Sequence, residues 1–349
     1  MLNAEMDEIN TLVAQYFQLV DPHHLNLPDG PTIVKPAIQT ALYERMFNED
    51  TVWPIPPVNY RSRVLKMIIS RIEESISDPE EDEIISDLME TWSTLMTTPK
   101  PSPLQQAQQL SYIKYTAPTT TASTVTTPRT VITSESRGLI LSAGTTGFRT
   151  WEAALHLGSF LATPAGEALV RGKRVIELGA GTGFLSMFAA KYLGVQRVVV
   201  TDREEALLDS IRDCVGRNEL DGRVLRPAIW EWGSPLDFEK GDDGEDGVFD
   251  VALGADLIYD TDLVPLLLST LTTLFDTYKI KCFIISATLR NQDTFQTFLN
   301  ACESTHFKAE CMEFRSPAEE TQTGFFHATG IPIRTYKISK VIEYASDLV

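Results

Sequence analysis

The chain has 349 residues, 43% of them apolar, which is long enough for two domains and apolar enough to bury a sizeable core. With 48 acidic against 30 basic residues its formal net charge is -18, so it repels phosphate backbones, argues against nucleic acid as its main partner, and suits a partner presenting lysine or arginine. The acidic opening MLNAEMDEIN does not read as a signal peptide, no stretch reaches the ~20 apolar residues of a membrane span, and the 5 histidines show no metal-ligand spacing. A cytoplasmic protein without membrane or metal is expected. The 4 cysteines, Cys214, Cys282, Cys302 and Cys311, show no C-x-x-C spacing and are expected to be reduced and buried.

Residues 1–97 read as a helical domain. Ile9, Leu12, Val13, Tyr16, Phe17 and Val20 follow a helical period. The pattern repeats over Thr32–Phe47 and Val58–Ile76, with Pro31 and Pro57 near the starts. A fourth helix is predicted over Glu80–Leu95, opening on Pro79 and a run of acids that suits a helix N-terminus.

Residues 98–134 read as a linker. From Thr97 to Thr130 the chain is rich in Thr, Pro, Ser, Gln and Ala, a composition that buries no core. Two extended pieces, Ser111–Tyr115 and Thr130–Thr133, are placed to pair as a hairpin.

Residues 135–349 form a third region in which strand-like and helix-like segments alternate. Strands are predicted at Arg174–Leu178, Arg197–Thr201, Val224–Ile229, Val248–Ala255, Lys279–Ala287, Phe307–Phe314 and Ile331–Ser339, with helices near Asp262–Phe275 and Asn291–Ser304. Such alternation implies an α/β, doubly wound, mostly parallel sheet whose ligand sits at the carboxyl ends of the first strands.

The strongest motif is RVIELGAGTGFLS, Arg174 to Ser186. A buried strand runs through Glu177 into Gly179, Ala180, Gly181 and Gly183 and then a helix. Glycines serve where backbone turns sharply and approaches a ligand closely. An acid, Asp202, follows at the end of the second strand, placed for ribose hydroxyls or for capping the next helix. A dinucleotide G-x-G-x-x-G would need glycine where the chain has Phe184. The E-x-G-x-G-x-G spacing instead favours S-adenosylmethionine (SAM), whose sulfonium cation suits a nearby carboxylate. Glu177 is placed to touch the cofactor's amino-acid end or to anchor the loop.

Three further segments fall at the same sheet edge. GTTGFRTWEAA carries Trp151, which is placed to close over the cofactor; AIWEWG carries Trp232, placed against the adenine. GADLIYD carries Ala255, Asp256 and Tyr259 at the end of the fourth strand, where a reacting group would meet the methyl. Core packing is the alternative for each tryptophan.

These residues resemble the seven-β-strand protein-lysine methyltransferases with an Asp-x-x-Tyr motif, here Asp256-Leu257-Ile258-Tyr259, and most of all the eukaryotic elongation factor 2 lysine methyltransferases. The blocks GTTGFRTWEAALHL and ATLRNQDTFQTF, the extended pieces before the sheet and the N-terminal helical region carry the narrower likeness. The resemblance is dense over residues 134–304 and thin over the first 97. It implies a Rossmann-like seven-stranded methyltransferase sheet, cofactor contacts at Trp151, Gly179, Ala180, Gly181, Asp202, Trp232 and Ala255, and Asp256 and Tyr259 facing a lysine of elongation factor 2. The Thr/Pro/Ser-rich insertion and the acidic loop KGDDGEDG (240–247) depart from the family pattern and affect only substrate docking. Other readings are a different protein or small-molecule acceptor, and a non-catalytic interaction protein with a relic domain.

Overall fold

The computed structural model describes residues 2–78, 82–102, 104–105, 109–119, 127–136, 145–236 and 248–341. The acidic loop 240–247 and most of the Thr-rich centre of the insertion lie outside the described residues.

The amino-terminal region is helical: α1 (Leu2–Phe17), α2 (Gly30–Ile33), α3 (Pro36–Leu42), α4 (Val58–Glu73) and α5 (Ser86–Thr97). Ile9, Leu12 and Tyr16 of α1 meet Val64, Leu65, Ile68 and Ile72 of α4 in a core of their own. Two expectations are corrected here. The helix predicted over Thr32–Phe47 is broken, because Pro36 lacks the N–H to continue α2 and starts α3 instead; a wide turn, Tyr43–Phe47, ends the segment. The fourth helix starts at Ser86 rather than Glu80. Asp82 and Glu83 precede it in irregular backbone, while residues 79–81 lie outside the described residues.

The two extended pieces pair antiparallel as β1 (Ser111–Thr116) and β2 (Thr130–Glu135). The hairpin's Ile113, Tyr115 and Val131 are packed into the core of the sheet that follows.

That sheet has seven strands in the order β5-β4-β3-β6-β7-β9-β8. They are β3 (Arg174–Leu178), β4 (Arg197–Asp202), β5 (Leu225–Ile229), β6 (Val251–Ala255), β7 (Cys282–Thr288), β8 (Phe307–Cys311) and β9 (Ile333–Lys340). The first five run parallel; β9 pairs antiparallel with both β7 and β8. The architecture is the expected Rossmann-like, mostly parallel seven-stranded sheet.

Its central strands are nearly continuous apolar runs because both faces are covered. Successive side chains alternate between two cores. Val175, Val198, Val200, Val251, Leu253 and Ile284 face α6 (Glu152–Leu161), α8 (Phe184–Tyr192), α9 (Glu205–Arg217) and the hairpin. Ile176, Leu178, Val199, Ala252, Phe283 and Ile285 face α10 (Val264–Asp276) and α11 (Gln292–Ser304). A short helix, α7 (Pro164–Val170), leads into β3. Cys214, Cys282 and Cys302 are free and buried as expected, whereas Cys311 is exposed, a correction that follows from its place on the edge strand β8. From β3 the chain builds outward to β4 and β5, then returns to lay β6 on β3's other side. That reversal opens a crevice at the carboxyl ends of β3, β4 and β6.

Candidate functional site

The floor of the crevice is the turn from β3 into α8. Gly179, Gly181 and Gly183 take φ of 56°, 55° and 73°, the left-handed region that side chains with a Cβ rarely adopt. At Gly179 an added Cβ would also lie 2.8 Å from Leu257 Cδ2, so that side chain would have to shift to admit it. The Ala180 N–H donates to Thr201 O at 2.9 Å, fastening the turn to β4.

Two carboxylates flank this floor. Asp202, at the end of β4, is 9% exposed and accepts from the Gly181 N–H at 3.0 Å and the Glu204 N–H at 3.2 Å. Its carboxylate therefore braces the glycine turn while lining the crevice. Glu177 also lines the crevice, and its Oε2 accepts from the Ser186 N–H at 3.0 Å and from the Ser186 hydroxyl. Burial pushes the Glu177 carboxyl up to about 8, against the Ser186 bonds and with help from the nearby Asp202 charge. Burial raises Asp202 too, opposed by the N–H groups it accepts from.

The walls bring the other expected residues together. Trp151 caps the start of α6 and donates from Nε1 to Thr146 O at 3.1 Å. Trp232 and Trp230 both follow β5 and line the crevice; Trp230, 2% exposed, is pinned by its Nε1 bond to Ser234 O at 3.0 Å. Across from them stand Ala255, Asp256 and Tyr259. Asp256 has φ of 51°, a backbone that aspartate tolerates better than most residues. This conformation turns the chain sharply at the end of β6. Its Oδ1 accepts from the Thr288 N–H at 2.8 Å and its Oδ2 from the Thr288 hydroxyl at 3.0 Å. Tyr259 is 66% exposed, at the mouth. The crevice has a volume of about 320 Å³, within the range of small-molecule sites.

A family model described as lysine methyltransferase matches residues 141–305. The protein-lysine N-methyltransferase EFM3 of Chaetomium thermophilum is 39% identical over 328 residues, 93% of this chain and 96% of that protein. The chain belongs to the protein-lysine methyltransferase family. EFM3 of Saccharomyces cerevisiae is 30% identical to the enzyme over 289 residues, 76% of this chain and 78% of that protein. The EEF1A lysine methyltransferase 3 of Mus musculus is 33% identical over 162 residues, 46% of this chain and 64% of that protein.

The cofactor of this methyltransferase is S-adenosylmethionine, and the crevice fits it. A floor of bare glycine backbone admits close approach, and Asp202 beside it, held by the N–H groups of Gly181 and Glu204, suits the hydroxyls and cationic end of such a ligand better than a pyrophosphate. No helix among the described residues is long and apolar enough to cross a membrane, and no cluster of His, Cys, Asp or Glu there is built to hold a metal.

Sequence reasoning missed the groups that hold the enzyme's site in place. Glu135, at the end of β2 and 0% exposed, accepts on Oε1 from the hydroxyls of Tyr115, Thr133 and Thr150, each at 2.7 Å. The Thr150 hydroxyl in turn shares a 2.7 Å bond with that of Thr182 in the glycine turn. The hairpin is thus a buttress of the glycine floor of the crevice. The extended piece expected over Thr130–Thr133 stops short of Glu135, and nothing local told that this acid continues the strand and points inward. Arg290, which lines the crevice, and its ion-pair partner Glu152 were also unread, although both lie inside the quoted blocks.

Proposed function

We propose that this methyltransferase transfers a methyl group from S-adenosylmethionine to a lysine side chain of translation elongation factor 2, in the cytoplasm. The observation that carries the acceptor reading is Asp256, a largely buried carboxylate fixed by two bonds from Thr288 beside the open mouth where Tyr259 stands. Trp151, Glu177, Gly179, Ala180, Gly181, Gly183, Asp202, Trp232 and Ala255 form the cofactor side; Asp256 and Tyr259 form the acceptor side. The helical region 1–97 is the element we assign to docking of the large partner. The likeness of the blocks around Trp151 and Arg290 to elongation factor 2 lysine methyltransferases supports that substrate.

The cofactor supplies a methyl group on a sulfonium, open to in-line attack by a neutral amine. A lysine of ordinary pKa loses its proton at pH 7 at a cost of about 4–5 kcal/mol. A partly dry crevice lowers that cost by disfavouring the ammonium. Asp256 then orients the amine. Both its oxygens already accept from Thr288, and an aspartate is a weak base toward an ammonium, so orientation rather than proton abstraction is its role. Alignment of amine and methyl provides most of the acceleration.

The relative named EEF1A lysine methyltransferase 3 favours a second reading, with elongation factor 1A as acceptor. Tritiated S-adenosylmethionine offered with purified elongation factors 2 and 1A side by side, followed by mass spectrometry, separates them. One lysine labelled in elongation factor 2 is expected. Label in elongation factor 1A alone would move the reading to the second substrate, and label in neither would end both.

A further inference from the structure

Arg290, two residues past the end of β7, joins three walls of the crevice. Its Nη2 donates to Glu152 Oε2 at 2.6 Å, its Nη1 lies 3.5 Å from Asp256 Oδ2, and its Cζ lies 5.3 Å from the Trp151 ring centroid. Glu152 is the first residue of α6, and its Oε1 lies 3.5 Å from Arg149 Nη2, whose Cζ sits 4.9 Å from the same indole. One glutamate thus leashes two guanidinium groups against the cofactor-side tryptophan, and one of them also faces the acceptor-side aspartate.

The distances say what the leash does. Arg290 is drawn to Glu152 by a short charged hydrogen bond and stands off Asp256 at 3.5 Å, beyond the 2.7–2.9 Å typical of a charge-assisted bond. At that distance its hydrogen bond to Oδ2 is long and weak, so it supports negative charge on Asp256 while leaving the oxygen able to accept from an incoming amine. The side chains of Arg290, Glu152 and Asp256 are 44%, 21% and 12% exposed, so ion pairing here adds little to stability. Its place at the site is what gives it consequence.

We propose that Arg290 and Glu152 are positioning residues for the acceptor: Arg290 keeps Asp256 ionised, and Glu152 holds Arg290 back so that Asp256 stays open to the incoming lysine. The proposal rests on the acceptor reading above. The groups facing Asp256 are consistent with it. Burial raises its pKa and the Glu152 charge adds to that; the Thr288 N–H and hydroxyl and the Arg290 guanidinium oppose them.

Three variants test it on whichever elongation factor the wild type methylates, between pH 6 and 9. Arg290→Gln lowers kcat about tenfold at pH 6, and the deficit shrinks as pH rises, because Asp256 without its cation protonates at higher pH. The lysine's own deprotonation affects both enzymes alike and cancels in the ratio. Arg290→Lys restores the wild-type profile. Glu152→Gln frees Arg290 to close on Asp256 and raises KM for the protein severalfold; calorimetry shows the same loss in affinity for that protein with no cofactor present. Adding Arg290→Gln to Glu152→Gln removes the competitor and returns KM toward the wild-type value. A wild-type/Arg290→Gln ratio that is the same at every pH, or an unchanged KM and affinity in Glu152→Gln, would overturn the proposal. Asp256→Ala distinguishes the two levels: full transfer in that variant, or no transfer by wild type to either factor, defeats the acceptor reading itself, whereas an inactive Asp256→Ala with a flat Arg290→Gln ratio defeats only the bridge.

Discussion

Asp202 does two jobs with one carboxylate: it accepts from the Gly181 N–H across the turn and offers its remaining lone pairs to the crevice. Hydrogen bonds to a charged group contribute roughly 1.5–3 kcal/mol each, so Asp202→Ala should weaken S-adenosylmethionine binding about 10- to 100-fold by calorimetry. Unchanged affinity would remove Asp202 from the cofactor side. The helix-cap alternative is partly met as well, since Asp202 bonds the N–H of Glu204, the residue that caps α9. Glu177 makes stability depend on pH in the sense opposite to a carboxylate whose pKa is lowered by folding. Its folded-state pKa, raised to about 8 by burial, lies above its usual value, so its contribution to stability is full in acid and is lost as pH rises through 8. Glu177→Gln mimics the protonated form and keeps an acceptor for Ser186. It should melt near wild type at pH 5 and above it at pH 9. A gap that stays constant with pH would contradict this account of Glu177.

At the scale of elements, the hairpin shows how a polar contact can set the geometry of a distant loop. Glu135 links β2 through Thr150 to Thr182, so strand, α6 entry and glycine turn share one buried network. Glu135→Ala takes this acceptor from three buried hydroxyls, of which Thr150 keeps its bond to Thr182, so the loss should be at least about 2 kcal/mol, since each buried group deprived of its partner costs roughly 1–3 kcal/mol. Denaturant unfolding should show that loss, together with weaker S-adenosylmethionine binding; a variant as stable as wild type would deny the network. Period and composition made the sheet readable: all seven strands, the glycine turn and its following helix follow from apolar runs and glycine spacing. What stayed unread was longer in range. Thr32–Phe47 keeps a helical period across Pro36, so periodicity hid the break. The side chains that reach Asp256, Thr288 closely and Arg290 at 3.5 Å, lie more than 30 residues away in sequence and meet it only because β6 and β7 are neighbours. Glu135 and Glu152 carry no motif, and only the packed fold gives them partners.

Across the whole molecule, the amino-terminal helices are joined to the sheet domain by specific bonds. Gln18, just past α1, accepts on Oε1 from the Phe326 N–H at 3.0 Å and donates from Nε2 to Phe326 O. The neighbouring Phe325 packs on Phe184 and Phe188 of α8, the helix that follows the glycine turn. The amino-terminal helices are thereby tied to the helix that opens at the glycine turn. The central claim is that one crevice divides into a cofactor side and an acceptor side, with Asp256 on the latter. The most direct measurement is methyl transfer from S-adenosylmethionine to elongation factor 2 by Asp256→Asn, read beside cofactor affinity from calorimetry on the same preparation. The account predicts that transfer falls at least 100-fold while affinity stays within about threefold of wild type, the loss of a charged group made only for the acceptor. Cofactor affinity lost in step with transfer, or transfer retained, would contradict it.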